Sequence, residues 1–189
     1  MPTAAPALVP ARAAGGVRTL PDLLRPGLDL VFVGINPGER SAQLGHYYGH
    51  RGNAFWRVLS ESRLVASDVG PDDDRRLLAC GIGFTDVVKR VQTDSTQVTD
   101  AELRAARPSF ERRIAYASPR AVCFTTTRAF DVLFPRVRAS GTWGHQPVAI
   151  AGAEVWVMPS TSGRAAGYRE EGRRVLADLA CALGRDGPR

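Results

Sequence analysis

The run from Leu28 to Val33, broken only by Asp29, leads directly into Gly34-Ile35-Asn36-Pro37-Gly38. Apolar residues in near-continuous succession read as a strand buried on both faces, which belongs in a parallel sheet covered by helices. Such a strand delivers the loop after it to the carboxyl end of the sheet, where open α/β folds place their ligands. This loop carries a single Asn among residues suited to close approach. Gly34 and Gly38 carry no Cβ, and Pro37 has a fixed φ and no N–H. An amide both accepts and donates, so Asn36 can hold a water against a reacting carbon without being a strong base. The same five residues also fit an ordinary strand-to-helix turn, and only the rest of the chain separates the two readings.

Further along, strands alternate with helices. Asn53 to about Leu64 reads as a helix whose apolar face is Phe55, Trp56 and Leu59. Asp72-Asp73-Asp74 begins a short helix ending near Cys80-Gly81, and Ile82 to Thr85 is a second strand. Thr99-Asp100-Ala101-Glu102 is a capping box for a helix to about Tyr116, with a break or kink expected near Pro108. Ala121–Thr125 is a third strand and Ala129–Phe134 a short helix. Pro147–Ile150 and Glu154–Val157 form a hairpin around Ala151-Gly152-Ala153, and Arg164–Leu183 closes the domain as a helix. Leu20 to Leu24 suggests one helical turn before the first strand. The expected fold class is therefore α/β, a three-layer α/β/α sandwich around a largely parallel sheet. Residues 1–20, with Pro2, Pro6, Pro10 and Gly15-Gly16, read as a mobile Ala/Pro-rich tail, and 21–185 as a single domain.

A chain of 189 residues can bury one proper core. Its net charge of +6 and pI near 9.9 favour a polyanionic partner, nucleic acid before an anionic membrane. Nearly all the cations are Arg, with Lys89 the single Lys, so genomic base composition also contributes to that bias. Cys80, Cys123 and Cys181 stand apart with no C-x-x-C pair, which excludes a four-cysteine zinc or iron–sulfur site within one chain and argues against a disulfide framework. Cys123, in an apolar run, reads as a buried structural thiol. No stretch approaches membrane-spanning length, and the N-terminus lacks the pattern of a signal peptide. A cytoplasmic protein (nucleoid-associated if bacterial) and a monomer are the expectations.

Three segments stand out together: Gly34–Gly38, His46–Trp56 with its Asn53-Ala54-Phe55-Trp56, and Met158-Pro159-Ser160-Thr161-Ser162-Gly163-Arg164. With the intervening Gly83-Phe84-Thr85, their content and order resemble the mismatch-specific uracil-DNA glycosylases, the group that includes thymine-DNA glycosylase. The resemblance covers roughly residues 28 to 180. It implies a uracil-DNA glycosylase-like fold and a monofunctional enzyme that flips uracil, or a related damaged pyrimidine, from G·U-mismatched duplex DNA. Hydrolysis of the N-glycosidic bond would leave an abasic site for base excision repair, with no cofactor and no metal. Chemistry on a base requires a pocket for it once extruded, something to fill the gap, and a basic face for phosphates.

Residue by residue, the resemblance makes Asn36 the group that orients the attacking water, in keeping with a leaving base that departs as an anion. Tyr48 corresponds to the aromatic that stacks on the flipped base, with Tyr47 as the competing stacker, and the N–H groups of Ile35 and Tyr48 contact that base. Ser160 joins Ile35 and Tyr48 as a base-binding residue, and Ser160, Ser162 and Gly163 also offer hydroxyls and N–H groups at a helix start, where an anion site and an ordinary N-cap use the same donors. Arg164 falls at the intercalating wedge. Asn53, Phe55 and Trp56 brace the loop.

Asp86 departs from the pattern, because relatives more often carry Lys or Asn there. It is read either as a second catalytic group, activating water or steadying the cationic sugar, or as the N-cap of a helix over Val87–Arg90, with the cap slightly favoured. His46 and His50 flank Tyr48 without further ligands for zinc, so hydrogen bonding within the loop or to phosphate is expected. His145 receives no role. The run Arg104–Arg113 reads as a solvated helix face, with DNA contact as the alternative. Lys89 does not fall where relatives carry a catalytic amine, so lyase activity is not expected. Three other readings compete: a uracil glycosylase of another branch using Asp86, a damage reader that binds without cleaving, and a nucleotide-binding protein. The last lacks a G-x-G-x-x-G after the first strand.

Overall fold

Leu30–Gly34 (β1), Ile82–Asp86 (β2) and Ala121–Phe124 (β3) are buried at every position, as near-continuous apolar runs require. With Gly144–Ile150 (β4) and Ala153–Val157 (β5) they form one sheet in the order β2-β1-β3-β5-β4. All neighbours are parallel except β4, which pairs antiparallel with β5 at the edge. The computed structural model describes residues 19–139, 141–162 and 167–185.

The two-residue period of the strands divides the core into two layers. Phe32, Phe84 and Cys123 face the helices Phe55–Ser60 (α2), Asp74–Ala79 (α3) and Arg169–Ala182 (α6). Val31, Val33, Val122 and Phe124 face Asp100–Ala117 (α4) and Thr127–Leu133 (α5). Glu39–Leu44 (α1) follows β1 directly. The chain therefore leaves β1 toward one face of the sheet and its neighbour β3 toward the other. Their diverging loops open a crevice at the carboxyl ends of the two strands, which is a topological switch point.

Several expectations change in the structure. Residues 20–24 are not a helical turn. Leu23 lies antiparallel to Phe84, exchanging N–H···O bonds of 2.9 and 3.0 Å, and Leu20 is already core at 2% exposure. An extended backbone satisfies the open edge of β2, which a single turn would leave unpaired. α4 runs through Pro108 without interruption. Pro108 is exposed, so water can take the carbonyl its missing N–H leaves free, while Leu103, Phe110 and Ile114 hold the buried side. α6 begins at Arg169, five residues after the expected start. β4 begins at Gly144, with an irregularity between Gln146 and Ala149 that takes up Pro147 on the edge strand. The hairpin turn is Ala151-Gly152, both at positive φ (50° and 85°), as a two-residue connection of twisted strands needs. Of the tail, only Thr19 and Leu20 are among the described residues.

Candidate active site

The crevice between β1 and β3 is a cleft of about 550 Å³, and Ile35, Asn36, Tyr48, Asp86, Thr125 and Ser160 are among its lining residues. Ile35 lies just past the paired register of β1 with β3, whose last bond runs from the Thr125 N–H to the Val33 carbonyl at 2.9 Å.

Asn36 is half-buried, and its amide is oriented by acceptors on one side. Nδ2 donates to the carbonyls of Gln92 at 2.7 Å, Pro37 at 3.0 Å and, at longer range, Arg90 at 3.4 Å. Three carbonyls can be served only by the NH₂ end, so Oδ1 is the end left for a water in the cleft.

Asp86 ends β2 at the bottom of the cleft, 3% exposed, and its Oδ2 has no hydrogen-bond partner among the described residues. Oδ1 lies so close to β1 that a Cβ at Gly34 would sit 2.3 Å from it. Any residue but Gly at 34 would push the Asp86 carboxyl out of this position. Burial raises the Asp86 carboxyl to about 7, with Lys89 pulling it down, Asp22 pushing it up and Arg113 pulling it down. The helix-cap reading does not hold. No helix follows Asp86: the Val87 and Val88 N–H groups bond to the Gly34 and Ile35 carbonyls at 3.0 and 2.9 Å, carrying the pairing with β1 past the end of β2.

Tyr48 is held on several sides. Its ring stacks on Phe55 with centroids 4.0 Å apart, and its hydroxyl meets Thr125 Oγ1 at 3.1 Å. Thr125 Oγ1 in turn donates to the Val33 carbonyl. The backbone of Tyr48 sits at φ 51°, costly for an aromatic residue and tolerable only where the surroundings determine it. Burial and the neighbouring Asp86 raise the Tyr48 hydroxyl far above the usual phenol range, so it stays neutral. Tyr47 also borders the cleft, but its ring is taken up by the core. It is 2% exposed, stacked on Phe84, with its hydroxyl donating to the Pro21 carbonyl.

The bracing expected of the next segment is present. Asn53 Oδ1 accepts from the Phe55 N–H at 2.9 Å, Phe55 is fully buried, and Trp56 Nε1 donates to the Tyr47 carbonyl at 3.0 Å. His46 bonds outside its own loop, to the buried Asp74 at 3.1 Å, and Asp74 also accepts from the Tyr47 N–H. His50 accepts from the Gly52 N–H. Among the described residues no group of three or more His, Cys, Asp or Glu could hold a metal.

Ser160 lines the cleft and its Oγ accepts from the Ser162 N–H at 3.3 Å. Ser162 is exposed, but α6 starts seven residues later, so these serines do not cap it. Gly163 and Arg164 lie outside the described residues.

Several residues of the site region escaped the sequence reading, among them Thr125, which meets the Tyr48 hydroxyl, and Gln92, whose carbonyl orients Asn36. Arg113 is not on a solvated face. It reaches under β2 to donate to the Asp86 carbonyl at 2.7 Å and pairs with Asp22 at 3.3 Å. Asp22 also takes the Lys89 ammonium at 2.8 Å and the Thr85 hydroxyl at 2.6 Å. For Arg113 the only sequence signal is its spacing along α4 from Phe110 and Ile114, which a run of arginines obscures. α1 was missed as well, since six residues between Gly38 and Gly45 are too few to show a helical period.

Fold and cleft together define an α/β protein with a cleft at the switch point of a mostly parallel sheet, where open α/β folds place ligands. The chain belongs to the uracil DNA glycosylase superfamily, whose family model matches residues 21–183. Its fold is also similar to that of a solved structure from Methanosarcina acetivorans described as a "putative Uracil DNA glycosylase". The TM-score is 0.58 at 23% identity, over 86% of this chain and 98% of that one. Enzymes of this superfamily act on DNA, and membership supports a uracil glycosylase activity in general terms. Among the described residues, no helix is long and apolar enough to cross a membrane.

Proposed function

We propose that this chain is a monofunctional DNA glycosylase that takes uracil, flipped from a G·U-mismatched duplex, into the cleft and hydrolyses its N-glycosidic bond. The observation that carries this reading is the convergence on one cleft of an amide whose NH₂ end is turned away to carbonyls, freeing Oδ1, and a buried carboxyl with an oxygen unpartnered among the described residues. Asn36 Oδ1 holds the water as the base departs. Asp86, ionised, accepts a proton from that water or steadies the cationic sugar. The pyrimidine ring stacks on Tyr48, an interaction worth roughly 1–3 kcal/mol per base. Lys89 is engaged with Asp22, in keeping with an enzyme that releases a free base without a covalent amine intermediate. Ser162, Gly163 and Arg164 contact the backbone and fill the gap left by the base.

The test is base release from labelled duplexes carrying G·U, A·U or G·T, and from single-stranded U, by wild type, Asn36→Ala and Asp86→Ala. Fastest release from G·U, with both variants slowed by roughly 10²- to 10⁴-fold, is the expected result. Tight binding to G·U without release from any substrate would replace the enzyme with a damage reader. Loss in Asp86→Ala alone would move the chemistry to the carboxyl.

A further inference from the structure

Asn36 owes its orientation to carbonyls, and two of the three come from a segment more than fifty residues away in sequence, Arg90 and Gln92. Residues 87–92 have no regular secondary structure, so their position is set by anchors at particular points. Val87 and Val88 are tied by their N–H groups to the Gly34 and Ile35 carbonyls, and the Gln92 N–H donates to the Pro37 carbonyl at 3.0 Å. Between these points Lys89 pairs with Asp22, and Arg90 is held through its side chain. Its Nε donates to Glu102 Oε1 at 2.9 Å, and Nη2 donates to Glu102 Oε2 at 3.3 Å and to the Gln97 carbonyl at 3.2 Å.

Glu102 is itself fixed. It is the third residue of α4, where its Oε2 accepts from the Thr99 N–H at 2.8 Å while Thr99 Oγ1 accepts from the Glu102 N–H at 3.1 Å. Arg90 and these donors hold the Glu102 carboxyl down to about 2, so the acceptor is ionised throughout the working range. A planar guanidinium on both oxygens of a carboxylate sets direction as well as distance. A continuous path therefore runs from the capped start of α4 through Glu102 and Arg90 to the carbonyls that face Asn36.

We propose that Arg90 is a positioning residue for Asn36: its fork on Glu102 holds the 90–92 carbonyls where they engage Nδ2, so that Oδ1 faces the cleft. This rests on the role given to Asn36 above. The Arg90 and Glu102 side chains are 44% and 36% exposed, and such pairs add little to stability. The effect belongs in the rate of the chemical step.

The experiment is single-turnover uracil excision from a G·U duplex by full-length Arg90→Ala, Asn36→Ala, Asp86→Asn and the double variants pairing Arg90→Ala with each. Duplex affinity and thermal unfolding are measured alongside. Arg90→Ala should slow excision by roughly 10- to 100-fold, as small misplacements of a catalytic group do, with affinity and unfolding unchanged. It should add nothing to Asn36→Ala, yet multiply the loss in Asp86→Asn. The reversed pair Arg90→Glu with Glu102→Arg should recover part of the rate. By NMR, the Asn36 side-chain amide protons should exchange with water faster in Arg90→Ala than in wild type. A wild-type rate in Arg90→Ala, while Asn36→Ala is slow, overturns the positioning role alone. An equal further loss in the Asn36→Ala background does so too, since Arg90 would then act elsewhere. A wild-type rate in Asn36→Ala removes the reading of Asn36 and the inference with it.

Discussion

Asp86 is the residue on which the chemistry turns, because its surroundings work against its charge. Its carboxyl sits near 7 when folded against an ordinary value of 3.8, chiefly through burial. Between those two values the folded chain holds a proton that the unfolded chain has released. Stability should therefore fall as pH rises from about 4 to about 7 and level off above, by on the order of 4 kcal/mol in all. Urea unfolding at pH 5 and pH 8 reads this directly. Asp86→Asn should remove that pH dependence, and a variant as pH-dependent as wild type would show that another group is responsible. The same ionisation should govern turnover. Acting as a carboxylate, Asp86 makes the single-turnover rate rise with pH through a midpoint near 7, a rise that Asp86→Asn abolishes. A rate that falls over the same range would assign the work to the neutral acid. Asn36, by contrast, does not titrate, and its contribution depends on which way the amide points.

Among the elements, α2 matters beyond its six residues. Phe55 packs edge-on against Phe32 at 5.0 Å and stacks under Tyr48 at 4.0 Å, so one side chain joins the core to the cleft. Phe55→Ala should cost about 3–5 kcal/mol, as emptying a buried aromatic site does. It should also release Tyr48 from a backbone conformation that only its neighbours sustain. Val58→Ala is the control, because Val58 is equally buried in the same layer but makes no ring contact with Tyr48. Unfolding and excision measured on both should show a loss of rate in Phe55→Ala alone. If the two variants lose rate alike, Tyr48 does not depend on its stack.

At the scale of the whole molecule, charge is the property that reaches the partner. The net charge is +6, yet many arginines are spent internally: Arg113 on Asp22, Arg138 on Asp131, Arg128 on Asp100. Binding to duplex DNA should weaken linearly in log–log terms as salt rises, each neutralised phosphate contributing a slope of about −0.9. Titration of a labelled duplex between low and physiological salt measures it. A flat dependence would mean that the positive charge does not meet the backbone.

The strands and the helices with strong periods were legible in sequence, because burial on both faces leaves near-continuous apolar runs, and an Asn after such a run is carried to the sheet edge; Tyr48 and Ser160 were marked only by the resemblance of their segments. Asn36, Tyr48, Asp86 and Ser160 do meet in one cleft. The sequence left open every choice made by partners distant along the chain. Whether Asp86 caps a helix was decided by the Gly34 and Ile35 carbonyls, which extend the β1–β2 pairing past Asp86 and keep the backbone from turning into a helix. Tyr47 and Tyr48 are neighbours of one type, and only tertiary packing separates them: Tyr47 lies flat on Phe84 with 2% exposure, while Tyr48 stacks on Phe55 and meets Phe84 edge-on. The direction of the Asn36 amide was decided by carbonyls more than fifty residues away. Local pattern reports which residues must be buried and where strands end; hydrogen-bond partners and the ionisation of a buried acid depend on the groups the fold brings alongside.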